Sequence, residues 1–186
     1  MEIFIAKQPI FNEYEAVVAY QLLYRNKQLN AFPNVDADKA TIEVIVNAFL
    51  SIGLDQLTNG KPCIINFAES LLLSNLVESL QSESSVVIEL VKDIEVTPLL
   101  INRLIELRTL GYRISASGTM LLEPTPEIEK LFSLVHYCSV EFNEHNEAVR
   151  QQIINKAVSC NPTIQLVARK VETREDYEIA KSKCYT

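Results

Sequence analysis

Five short apolar runs recur along the chain, and their repetition limits the possible folds more than any other feature. They are PCIINF (62–67), SVVIELV (85–91), YRISAS (112–117), HYCSVEF (136–142) and TIQLVA (163–168), and a segment of helical character follows each. Strand then helix, repeated, builds a parallel sheet with helices as the crossovers. Two further strands precede them, about Ile3 to Phe11 and Ala16 to Arg25, joined by NEYE, which suits a hairpin turn. The second strand reads AYQLLYRN and places Gln21, Leu23 and Arg25 on one face, Tyr20, Leu22 and Tyr24 on the other. An otherwise packable strand thus aims an amide and a guanidinium in one direction.

The helices have their own signals. Thr97 and Pro98 form an N-cap and first-turn pair, Leu100, Ile101, Leu104 and Leu107 share one face, and Gly111 stands where a helix terminates. A second helix is expected from Asp38 to Ile52, with Ile42, Ile45, Phe49 and Ile52 on its apolar side and Gly53 after it. The charged run KVETREDYE reads as a helix start capped by Thr173.

With 186 residues, 48% of them hydrophobic, the chain can bury one sizeable core. No linker divides it, so residues 1–186 are read as a single domain. Seventeen basic residues against 24 acidic ones give a net charge of -7, and the basic residues are scattered. Duplex nucleic acid and anionic membranes are therefore not expected partners. No apolar run approaches the roughly 18 residues of a membrane helix, and MEIFIAKQPIF lacks a signal-peptide pattern, so a cytoplasmic location is expected. Cys63, Cys138, Cys160 and Cys184 show no metal-ligand spacing and are read as reduced packing residues.

An alternation of this kind closes into a (β/α)8 barrel or stays open as a doubly wound sheet. No glycine-rich phosphate loop follows an early strand, and polar residues near the ends of several strands favour the barrel. Only seven strands are legible, so a modified TIM-type barrel is expected, its last strand and helix unit missing from this chain. An incomplete barrel leaves edges available, which predicts strand-edge pairing or a homodimer.

The C-terminal ends of barrel strands form the rim where such folds place their active sites. Along the chain these positions are Gln21 and Arg25, then Asn66, Glu89, Ser117, Ser139, Glu141, Arg169 and Glu172. Glu89 is the one charge inside SVVIEL, and burying it without a partner would cost several kcal/mol. A partner, a metal or a raised pKa is expected there. His136 and His145 have neither the spacing of a metal pair nor that of a nucleophile and base.

Taken in order, the segments AKQPIFN, AYQLLYRN, NAFPNVD, INFAESLLL, VVIELVKDIE, LRTLGYRI and VARKVETREDYEIAK resemble the EAL domain of bacterial cyclic di-GMP phosphodiesterases. They resemble most the divergent EAL-type half of signalling proteins that also contain a C-terminal HDOD domain. The resemblance spans nearly the whole chain and implies a barrel whose first strand runs against the others. In that family the Glu of the Glu-Ala-Leu motif binds a catalytic metal and an Arg shortly after it contacts substrate phosphate. Here the motif reads Gln21, Leu22, Leu23, with Arg25 retained.

The resemblance further implies that Asn66 and Glu89 match metal-binding positions and that Gln8 lies near a guanine base. Ser117 and Gly118 fall where active relatives have paired aspartates, Ser139 where they have a Lys, and Glu141 where they have an Asp. In the Glu-Gly-Val-Glu motif, RKVE places Arg169 at the first Glu and retains Glu172 at the second, while Lys92 replaces an acidic loop residue. A two-metal phosphodiesterase needs several carboxylates to hold its ions and activate water. The expectation is therefore a catalytically degenerate EAL-like domain without a metal cofactor, acting as a regulatory or protein-interaction module in cyclic di-GMP-related signalling. Its expected partners are other signalling proteins or an HDOD domain, with cyclic di-GMP binding weak or absent. The rival readings are a phosphodiesterase with an altered Mg or Mn site and a receptor that binds the dinucleotide without cleaving it. Arg169 either turns inward to bridge Glu89 and Glu172 in place of the metals or extends into solvent from its strand end.

Overall fold

A computed structural model describes residues 4–25, 41, 42, 45, 53–80, 85–183 and 185; the side chains of Phe4, Tyr24 and Arg25 lie outside that description. The described residues form one seven-stranded sheet in sequential order: β1 (Phe4–Phe11), β2 (Val17–Arg25), β3 (Cys63–Phe67), β4 (Val86–Leu90), β5 (Arg113–Ser117), β6 (Tyr137–Glu141) and β7 (Gln165–Arg169). β1 pairs antiparallel with β2, and every later neighbour is parallel. A doubly wound sheet reverses its strand order at a switch point. Here the order never reverses, so the sheet curls progressively into part of a barrel, its first strand inverted as expected.

The opening hairpin turns where NEYE was read as a turn. Asn12 Oδ1 accepts hydrogen bonds from the backbone N–H groups of Tyr14 and Ala16, both at 3.0 Å, and Glu15 takes a left-handed conformation with φ 61°. The helix Pro98–Thr109 is likewise built as its sequence signals require. Thr97 Oγ1 accepts from the Leu100 N–H, Leu100, Ile101, Leu104 and Leu107 are buried, and Gly111 ends the helix with φ 99°. Thr173 caps Arg174–Ser182 by accepting from the Asp176 N–H. Of the helix expected over 38–52, Thr41, Ile42 and Ile45 are helical, while Phe49 and Ile52 lie outside the described residues. Ile45 is buried; Ile42, expected on the same apolar side, is exposed.

Period-two alternation divides each strand between two environments. Tyr20, Leu22, Cys63, Ile65, Phe67, Val86, Ile88, Leu90, Ile114, Ala116, Cys138 and Val140 belong to the core shared with the helices. Their neighbours Leu23, Ile64, Val87 and Val167 are buried apart from that core. This second set faces the concave side of the curl, and Gln21, Asn66, Glu89, Ser117, Ser139, Glu141 and Arg169 share its parity. Cys63 and Cys138 are free thiols whose pKa burial pushes up to about 12, as suits packing residues; Cys160 is also free, and Cys184 lies outside the described residues. Among the described residues no helix is long and apolar enough to cross a membrane.

Candidate functional site

Sheet register sets the first contacts at the strand ends. Asn66 on β3 lies opposite Glu89 on β4, Ser117 on β5 opposite Ser139 on β6, and Glu141 on β6 opposite Arg169 on β7. Curvature supplies the rest. Across a flat sheet β4 and β7 would stand about 14 Å apart, three spacings of roughly 4.8 Å, beyond direct contact for these side chains. Yet Arg169 Nη1 donates to Glu89 Oε1 at 2.6 Å. The curl therefore brings the rim positions together as a barrel mouth does.

Glu89 is the hub of this mouth and is only 4% exposed. Its Oε1 accepts from Arg169 and from the Ser139 hydroxyl at 3.3 Å, and its Oε2 accepts from Gln21 Nε2 at 3.0 Å. Gln21 Nε2 also lies 3.3 Å from Asn66 Oδ1. A glutamate at position 21 would present two more acceptor oxygens to Glu89 and Asn66; the amide presents a donor instead. The buried carboxylate is thus matched by one guanidinium, one amide and one hydroxyl, which answers its desolvation without an external cation. Arg169 turns inward, and of the two carboxylates expected to flank it only Glu89 is engaged. Glu172 lies beyond the end of β7, is exposed, and is not joined to Arg169.

A second group sits beside the first on the loops after β4, β6 and β7. Lys92 Nζ lies 2.8 Å from Glu144 Oε2, Lys170 Nζ lies 2.8 Å from Glu144 Oε1, and Lys170 Nζ lies 3.0 Å from Glu141 Oε2. The neighbouring Glu141 side chain, then the Lys170 and Lys92 amines, hold the Glu144 carboxyl well below the usual carboxylate range. Both lysines are pushed up, each chiefly by its hydrogen bond to Glu144. Sequence reading missed Glu144 and Lys170. Lys170 did have a signal: it occupies the glycine position of the Glu-Gly-Val-Glu motif and adopts φ 55°, a left-handed conformation that glycine takes freely.

The remaining expected positions are less engaged. Gln8 is exposed on β1, opposite Gln21 in register. Arg25 closes β2, and its side chain lies outside the described residues. Ser117 ends β5 half-buried, and Gly118, buried, opens the 3-10 turn Gly118–Leu122. A Cβ on Gly118 would meet Ile153 Cγ2 at 2.5 Å and Cys138 Sγ at 2.9 Å. Space as well as charge thus separates this position from an aspartate. His145 Nε2 lies 3.1 Å from Thr119 Oγ1, whereas His136 sits at the opposite end of the strands, where its Nδ1 accepts from the Ile114 N–H. Among the described residues no group of three or more His, Cys, Asp or Glu side chains is placed to hold a metal ion.

No family model matches the chain. Over 98% of its length it superposes on 52% of the crystal structure of the Bacillus subtilis YkuI protein, described as having an EAL domain and solved with substrate c-di-GMP and calcium, with a TM-score of 0.72 and 14% identity. Its fold is that of an EAL domain. The sequence is 41% identical over 182 residues to the uncharacterized protein YuxH of Bacillus subtilis, matching 97% of this chain and 44% of that protein. It is 27% identical to the cyclic di-GMP phosphodiesterase CdgJ of Vibrio cholerae, matching 98% of this chain and 42% of that protein. The chain thus spans less than half the length of either relative. The fold agrees with the antiparallel opening strand and the incomplete last unit read from the sequence.

Proposed function

We propose that this EAL-type chain is a catalytically degenerate domain that serves as a regulatory or protein-interaction module in cyclic di-GMP-related signalling. The signalling context comes from its similarity to CdgJ, described as a cyclic di-GMP phosphodiesterase, and from its fold, shared with a protein solved with c-di-GMP. The observation that supports loss of catalysis is the Arg169 guanidinium bonded to Glu89.

Two divalent ions held roughly 3.5 to 4 Å apart need shared anionic oxygens and a bound water that becomes hydroxide. The donors at this mouth do not fit that demand. Glu89 is already neutralised by Arg169, Gln21 points its N–H toward the site, and Ser117 and Gly118 supply no carboxylate. Glu141 is paired with Lys170. A hard cation entering beside Glu89 would have to displace a guanidinium and meet an amide donor. The domain accordingly has the rim of a phosphodiesterase and the charge balance of a closed polar network.

Two measurements test the reading. Purified protein incubated with cyclic di-GMP and Mg²⁺ or Mn²⁺ should release no linear dinucleotide above background. Calorimetric titration with and without those ions should show weak binding that the metal does not strengthen. Turnover in the unmodified protein, abolished by Glu89→Ala, would overturn the proposal.

A further inference from the structure

We draw no further inference here: the strongest candidate, the outer edge of β7, where Tyr185 forms an isolated parallel bridge with Leu166, belongs to the incomplete barrel already described, and nothing in the structure shows what covers the rest of that edge.

Discussion

The Arg169 guanidinium on β7 contacts the Glu89 carboxylate on β4 at 2.6 Å, 80 residues away in sequence and three strands across the sheet. Glu89 is nearly inaccessible and Arg169 is partly so, which makes this a largely buried charge pair on the concave face. Arg169→Ala leaves a buried carboxylate with only an amide and a hydroxyl. Stability should fall by about 2 to 4 kcal/mol, the cost of breaking a largely buried pair from one side. In a Glu89→Gln background the loss should shrink, and a double-mutant cycle in urea measures the coupling. The same cycle with Glu172→Gln should show none.

On the degenerate reading proposed above, acids introduced at the rim should not produce catalysis. Gln21→Glu returns one carboxylate but sets it against Glu89 and Asn66, which lie 3.0 and 3.3 Å from the present amide nitrogen. Gly118→Asp must push back Ile153 and Cys138, both fully buried, and should destabilise by about 1 to 3 kcal/mol as overpacked cores do. Hydrolysis of cyclic di-GMP by the double variant, measured with Mn²⁺, should stay at background. Recovered turnover at undiminished stability would contradict the packing seen around Gly118.

Position 170 should invert the usual ranking of glycine and alanine. Alanine normally stabilises relative to glycine, but a left-handed conformation costs an L-residue roughly 1 to 2 kcal/mol. Since Lys170 has φ 55°, Lys170→Gly should be more stable than Lys170→Ala by about 1 kcal/mol. Chemical denaturation of the two variants decides it.

His136 should introduce a pH dependence in mildly acidic solution. Burial, then the nearby Arg108 and Arg113 cations, lower its pKa from the ordinary 6.5, and its Nδ1 accepts the Ile114 N–H at 3.1 Å. The folded state therefore binds this proton less readily than the unfolded chain. The stability linked to His136 is fully present above pH 6.5 and is lost as pH falls below that value toward the lower folded-state pKa. His136→Gln keeps an acceptor without a titrating group, so its melting temperature should vary less over that interval. An identical pH profile in the variant would remove His136 as the cause.

Much of the scaffold was determined by local patterns in the sequence. Recurrent apolar runs, with period-two alternation in AYQLLYRN, marked the strands, and Thr97, Pro98 and Gly111 bounded a helix whose buried residues Leu100, Ile101, Leu104 and Leu107 follow from spacing alone. These choices depend on residues within a few positions of one another, where propensity and capping act. The identities at the rim were equally legible, since strand ends place Gln21, Asn66, Glu89, Ser139 and Arg169 on one face by parity. Tertiary structure decided how those residues meet. Whether Arg169 faced inward depended on the curl that draws β7 toward β4, a distance that no local pattern encodes. Only packing revealed that the helix containing Ile153 fills the space a side chain at Gly118 would need. The Glu144 clasp joins loops 52 and 26 residues distant in sequence, so its charges read as solvated surface until the fold set them between two lysines.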